Sequence, residues 1–463
     1  MAAQPEKKKE ELPKPEPGRY YITIDQIKPL LRKYYWASLS AAGVSSGNVS
    51  EWLWNWFNYP REKGRVESIE TIPPYLYGGM AEGFIRDYVL AKAPRWFPPQ
   101  SINFAGPPGI GKSALVREAA EELAEELGLE FRDDIESGRH VFMPGTVHEE
   151  LRSGKGIFIF LDVRASQMEP PDILGIPTYS RELGRTIYLP PMWLPRALFG
   201  IIFLDEFNLA SSATLKSLYQ LVLDRRIPAS GYVLPPFVAV VAAMNRPGID
   251  ITEATPLPEP LANRMAHGII HLTDSEKNSP VMKLYDFWLK WAETKGRIHP
   301  LIVEYIKATY RRRAALDWPQ ARPNEGKFYY PPLYKYYFME VGGLEATGKG
   351  FAYPTPRSWE FLSRILGTIV SPEETRTALE RYRETWEKFK QALQEKNVEE
   401  VRKAMEERIA LLTEDTARKI FEIAKTLIGA DEAYHFYMFL QLFTVEAGGM
   451  DYLRHGGTIF RAF

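Results

Sequence analysis

The sequence predicts an α/β fold: a parallel sheet with covering helices, followed by an all-helical region. Two observations carry that prediction. Between about residues 71 and 275, four short unbroken apolar runs alternate with helical patterns, as strands buried on both faces should. From about residue 276 the strand-like runs stop, and apolar residues recur only at three- and four-residue spacing.

The bulk properties fit such a chain. Its 463 residues exceed what one hydrophobic core organises, so several domains are expected. Hydrophobic residues at 45% and charged residues at 25% are the balance of an ordinary globular protein. A net charge of −1 supplies no global positive field to gather nucleic acid or an anionic membrane. With no cysteine, disulfides, thiol nucleophiles and thiolate metal sites are excluded. His148-Glu149-Glu150-Leu151-Arg152 carries arginine where a zinc-protease helix needs its second histidine. No apolar run reaches about 18 residues and the N-terminus is polar, so the expectation is a cytoplasmic protein without a membrane span.

Taken in order, residues 1–18 mix Lys, Glu and Pro and are expected to form a disordered tail. Residues 19–70 are rich in aromatics, including Trp52, Trp54, Trp56 and Phe57, and are expected to fold onto the main body. Within 71–275 the strand candidates are Ser101–Ala105, Gly156–Leu161, Gly200–Leu204 and Phe237–Met244. A helix follows the first of them, with Leu115, Val116, Ala119, Leu123 and Leu127 on one face and Gly128 as its stop. In 276–463, Leu379, Tyr382, Trp386, Phe389 and Leu393 predict a buried helical stripe. Residues 314–354 are rich in Pro, Gly and Tyr and read as an insertion.

The chemistry gathers at the strand ends. Gly106-Pro107-Pro108-Gly109-Ile110-Gly111-Lys112-Ser113 fits G-x-x-x-x-G-K-[ST], and it lies between a strand and a helix, the context this pattern requires. Its glycines let successive amides converge on a β-phosphate, and the helix N-terminus that continues through Ala114 adds partial positive charge. Lys112 is placed to bridge β- and γ-phosphate oxygens, and the Ser113 hydroxyl to ligate Mg²⁺. Gly200-Ile-Ile-Phe-Leu-Asp205-Glu206 adds a carboxylate pair at another buried strand end: Asp205 for Mg²⁺, Glu206 for polarising a water. Asn245 ends a third run, where a neutral amide can bond both water and phosphate.

With these motifs the chain resembles an AAA+ ATPase, a P-loop NTPase with a helical lid domain, and more narrowly the MoxR-type branch with its dynein-related relatives. Four further stretches support the likeness. Glu169–Gly175 resembles an insertion after the second strand, and Asp224–Phe237 the hairpin before sensor 1, here Asn245. Pro258–Arg264 is similar to the segment bearing the arginine finger, and Pro354–Glu360 to the opening of the lid helix with its sensor 2 arginine, Arg357. Arg357 follows Thr355 and Pro356, which read as helix N-cap and first turn. Met265 stands where the family usually has phenylalanine.

The resemblance implies ATP hydrolysis with Mg²⁺, catalytic roles for Glu206, Asn245, Arg264 and Arg357, and a hexameric ring in which Arg264 serves the neighbouring site. It further implies a protein client, in some relatives a von Willebrand factor A domain protein, remodelled or matured by a chaperone-like ring. The alternative is a nucleic-acid motor of helicase or clamp-loader type, supported by Arg225-Arg226 and Arg311-Arg312-Arg313, although neither run is interleaved with a stacking platform.

Overall fold

The computed structural model describes residues 21–64, 76–133, 156–191, 193–247, 255–270, 280–315, 354–406 and 410–444. The 1–18 tail, His148–Arg152 and residues 316–353 of the insertion lie outside them.

The strands in chain order are β1 (Tyr21–Ile22), β2 (Ile102–Ala105), β3 (Glu130–Arg132), β4 (Ile157–Arg164), β5 (Ile176–Ser180), β6 (Arg185–Leu189), β7 (Phe199–Asp205), β8 (Arg226–Ile227), β9 (Tyr232–Val233), β10 (Phe237–Met244) and β11 (Ala266–Ile270). Seven of them form one sheet in the order β1-β11-β2-β10-β7-β4-β3, every pairing parallel. The four apolar runs are its central strands β2, β4, β7 and β10, and their side chains are almost wholly buried because helices cover both faces. The sequence reading did not include β1, β3 or β11.

The chain leaves β2 for β3 and β4 on one side and returns through β7 and β10 before crossing to β11 on the other. That reversal places β2 between β10 and β11, with a crevice at the carboxyl ends of the strands, where open α/β sheets receive ligands. Two antiparallel hairpins are added, β5–β6 and β8–β9. The first leaves Ile176 and Tyr179 at 65% and 64% exposure.

The aromatic N-terminal segment shares this core. It forms helices Ile27–Ala41 and Val49–Glu62. In the second, Trp52 and Trp56 lie four residues apart on the inward face, packing edge-on against Phe237 and Phe84, while Trp54 points out at 66% exposure. Spacing in the helical period, not alternation, thus sorts the tryptophans. The Tyr35 hydroxyl donates to the Phe237 carbonyl at 2.6 Å and accepts from the Gly200 amide at 3.3 Å, tying the segment to the amino ends of β10 and β7.

Among the described residues, the region after β11 is helical: Pro280–Thr294, Pro300–Ala315, Pro356–Ile369, Pro372–Gln394, Val398–Glu406, Glu414–Ile428 and Ala430–Leu440. Trp359, fully buried, is one of its anchors, with the Tyr305 and Phe436 rings 5.6 and 5.5 Å away. The expected stripe on Pro372–Gln394 is only half realised. Leu379 and Tyr382 are buried, Trp386 and Phe389 are half-buried and stacked on each other at 5.3 Å, and Leu393 is 52% exposed. Near its end Ala392 is buried while Leu393 faces outward, so the helix Val398–Glu406 that follows covers a different side of it. No helix among the described residues is long and apolar enough to cross a membrane.

A candidate nucleotide site at the carboxyl ends of β2, β7 and β10

β2 ends at Ala105 and the chain turns at once into the glycine-rich loop. Gly109 and Gly111 take φ of +78° and +97°, conformations open to glycine and costly for other residues. The helix Lys112–Leu127 then starts at the loop's end, so its unpaired amides face the crevice. A side chain at Gly111 would meet nothing within 4 Å, which leaves the mouth of this cradle open, whereas one at Gly109 would stand 3.2 Å from Thr355. The cradle therefore has room above and a fixed wall beside it.

Lys112 is buried, and its ammonium donates to the carbonyls of Gly106 and Pro107 at 2.7 and 2.8 Å and reaches the Asn245 amide oxygen at 3.5 Å. A buried cation held by its own loop is ready to exchange carbonyl oxygens for phosphate oxygens. Asn245 follows β10, the neighbour of β2, and its backbone carbonyl accepts from the Asn208 side chain at 2.9 Å. That same amide group also donates to the Thr255 carbonyl at 3.1 Å, while the Thr255 hydroxyl returns a bond to the Asn208 carbonyl at 3.0 Å. Asn208 thus pins the tip of β10.

The Ser113 hydroxyl donates to the Asp205 carboxylate at 2.7 Å. Two hard oxygens this close, beside an open cradle, are a donor set suited to Mg²⁺, which prefers few protein ligands and completes its shell with water and phosphate. Asp205 ends β7, and its other oxygen accepts from the Glu206 amide at 2.8 Å. Glu206 itself sits at φ +53°, ψ +36°, in the left-handed region, which turns its side chain away from the strand line. Its carboxylate accepts from the Ser166 hydroxyl, on the turn after β4. On β4, partial burial and then the charge of Asp205 raise the Asp162 carboxyl above the usual range, against the pull of Arg164 and Arg117.

A cavity of about 120 Å³ opens on the outer side of the loop, between it and two helices of the region after β11. Phe287, Trp288 and Trp291 on Pro280–Thr294 line it, facing Gly109, Gly111 and Arg357. Flat aromatic side chains next to a phosphate cradle suit the base of a nucleotide. Arg357 is exposed at the start of Pro356–Ile369, whose N-cap Thr355 accepts from the Ser358 amide at 3.1 Å, with Pro356 in the first turn. Because Thr355 stands where a Cβ on Gly109 would come within 3.2 Å of it, the cap sets the helix start close against the loop.

Gly106 through Ala114, Lys112, Ser113, Asp205, Glu206, Asn245 and Arg357 therefore converge on one crevice. Arg264 does not join them. It follows the short helix Glu259–Ala262 with its guanidinium 5.8 Å over the Tyr219 ring, and among the described residues it makes no hydrogen bond or ion pair to the loop or to the acids. The sequence carried no signal for Ser166, Asn208, Thr255, the three aromatics of the cavity, or Glu118, which lines the same cavity. Single polar residues in loops and aromatics on an amphipathic helix carry no spacing signal of their own.

No family model matches the chain, and no curated protein matches it either. Among solved structures it is similar to a Cytophaga hutchinsonii protein provisionally described as an ATPase, at 14% identity over 64% of this chain and 74% of that one, TM-score 0.23. It is similar to a variant of RuvB from Thermotoga maritima, at 16% identity over 59% of this chain and 72% of that one, TM-score 0.25. It is also similar to Hsp104 in a closed state with ATPγS and casein, at 17% identity over 51% of this chain and 39% of that one, TM-score 0.27. With identities and overlaps this low, the functional reading rests on the geometry of the site.

Proposed function

We propose that the protein is a Mg²⁺-dependent ATPase of the AAA+ type that hydrolyses ATP to ADP and phosphate. The observation that carries this reading is the Ser113–Asp205 hydrogen bond of 2.7 Å near Lys112 and Glu206, which joins metal, phosphate and water chemistry across the ends of β2 and β7, the two strands flanking β10. The loop amides and Lys112 bind the phosphates, and the aromatic cavity takes the base. Ser113 and Asp205 hold Mg²⁺, which neutralises charge on the β- and γ-phosphates. Glu206 orients the attacking water and accepts its proton, and Asn245 fixes the water against the γ-phosphate. Arg357 meets the phosphates from the helical side.

The same proposal extends to assembly. Arg264 has no task in its own crevice, so in a ring of six identical subunits it is the group that reaches the neighbour's γ-phosphate, a contribution of about 10³–10⁵ in rate when supplied in trans. The MoxR-type reading adds a protein client, in some cases one with a von Willebrand factor A domain, remodelled or matured by a cytoplasmic ring. The domain reading is an α/β unit over 71–275, prefaced by the aromatic segment 19–70, and a helical lid with extension over 276–463.

The nucleic-acid alternative loses one of its supports. Arg225 turns inward and donates to the carbonyls of Pro235 and Val238, while Arg226 stays half-exposed beside Glu82 at 3.2 Å, so only one of the doublet is left at the surface for a phosphate backbone. Arg311, Arg312 and Arg313 have side chains outside the described residues.

The test is Glu206→Gln, assayed for phosphate release and ATP retention. Turnover is expected to fall by about 10²-fold or more while ATP stays bound. Undiminished turnover refutes the role of Glu206, and absence of ATP binding by the unaltered protein refutes the reading as a whole.

A further inference from the structure

The helix that begins at the phosphate loop carries Glu118, Glu122 and Glu126 at i, i+4 and i+8, and the N-terminal helix Ile27–Ala41 answers with Lys28, Arg32 and Trp36 at the same spacing. Lys28 bonds Glu118 at 3.0 Å and Glu122 at 2.6 Å, and Arg32 bonds Glu122 at 3.2 Å and also Glu126. The Trp36 indole donates to Glu126 at 2.7 Å. These partners are half-buried, so solvent screens them less than a surface pair.

Glu118 alone belongs to both this ladder and the cavity. Its second oxygen accepts from the indole of Trp291 at 2.7 Å, a contact across 173 residues, and both side chains line the cavity beside the loop. Behind the indole lies Gly296, where a Cβ would stand only 2.5 Å from the ring. The aromatic wall is therefore fixed by one carboxylate in front and a glycine backbone behind.

We propose that Glu118 is a positioning residue: it holds Trp291 as the wall of the base subsite and, through Lys28, makes the strength of nucleoside binding depend on the docking of the N-terminal helix. The inference rests on the nucleotide reading above but concerns only the base end of the ligand. Burial alone would lower the Lys28 ammonium; the hydrogen bonds and charges of Glu122 and Glu118 outweigh it and leave it raised, so the tether stays charged through neutral pH.

The experiment measures binding of Mg-ATP and of inorganic triphosphate, which lacks base and ribose, to the full chain and its variants. Glu118→Ala and Trp291→Phe are expected to weaken ATP about tenfold while triphosphate binds as before, because only the base end meets the indole. Glu118→Gln, which keeps an acceptor for the indole, is expected to recover most of that loss, and Lys28→Met to weaken ATP severalfold. In steady-state assays KM should rise by more than kcat falls. Trp291→Phe retains an aromatic side chain and so tests the bond even where Glu118→Ala folds poorly. Equal losses for ATP and triphosphate, or unaltered ATP binding in both variants, overturn the inference. If the unaltered protein binds triphosphate but gains nothing from the base, this inference fails and the phosphate site stands; if it binds neither, the nucleotide reading itself fails.

Discussion

The Ser113 hydroxyl donates to the Asp205 carboxylate across 2.7 Å, joining the first turn of the helix after the loop to the tip of β7. Both oxygens are committed to each other before any metal arrives, so their separation is set by the fold. Replacing Asp205 with Asn removes the charge and keeps the shape. The Mg²⁺ concentration giving half-maximal turnover is expected to rise by about 10–100-fold. Titrating Mg²⁺ at saturating ATP measures it, and an unmoved midpoint would remove Asp205 from the metal site.

Ser166 donates to the Glu206 carboxylate and so holds that side chain toward the turn after β4. Ser166→Ala should release the side chain toward the crevice. Basal phosphate release is expected to rise severalfold, with ATP affinity unaltered. Lower turnover in this variant would instead make Ser166 a support that the working carboxylate needs.

In the proposed inter-subunit site, Glu206 of one subunit and Arg264 of its neighbour serve the same γ-phosphate. Arg264→Ala and Glu206→Gln proteins are each expected to be nearly inactive, yet mixing them should restore a fraction of the turnover, because some mixed neighbours supply one intact group each. Mixing followed by phosphate-release assay reads this directly. No recovery, with subunit exchange demonstrated by a labelled protein, contradicts a shared site.

His299 supplies a pH prediction for stability. It is buried, its ring nitrogens engage the Val370 carbonyl at 3.1 Å and the Leu301 amide at 3.3 Å, and burial lowers its pKa from 6.5 to about 4. The folded state therefore keeps the ring neutral while the unfolded chain takes up a proton. That contribution is fully present above the unfolded value and is lost as pH falls toward the folded one. Unfolding free energy should drop by about 2 kcal/mol from this residue between pH 7.5 and 5. Denaturant melts of the unaltered protein and of His299→Gln check it: the variant should show a pH slope shallower by that amount.

Much of this site was legible because its chemistry is written in consecutive residues. The glycine loop, the Asp205-Glu206 pair and Asn245 each adjoin an apolar run, so locating the strands located the residues. Thr355 and Pro356 likewise announced the start of a helix, and the structure has them as N-cap and first turn. The edges of the sheet were not legible. β1 has two residues, β3 mixes Glu130 and Arg132 around one phenylalanine, and β11 carries His267 and Gly268, so none shows an apolar run. Ser166, Asn208 and Glu118 escaped for a different reason: each acts through a partner 37 or more residues away, and only the folded chain brings the two together. Arg225 shows the converse, since a doublet of arginines looks like surface charge until the backbone turns one of them inward.

Glu206 pays for its place with backbone strain. At φ +53° a residue bearing a Cβ sits about 1–2 kcal/mol above its relaxed conformation, while glycine would occupy the same turn at little cost. The chain thus keeps a carboxylate where a more durable protein would have none. Mutagenesis aimed only at thermal resilience would favour glycine here, and under the proposed role of Glu206 would deliver a sturdier molecule that cannot turn over ATP.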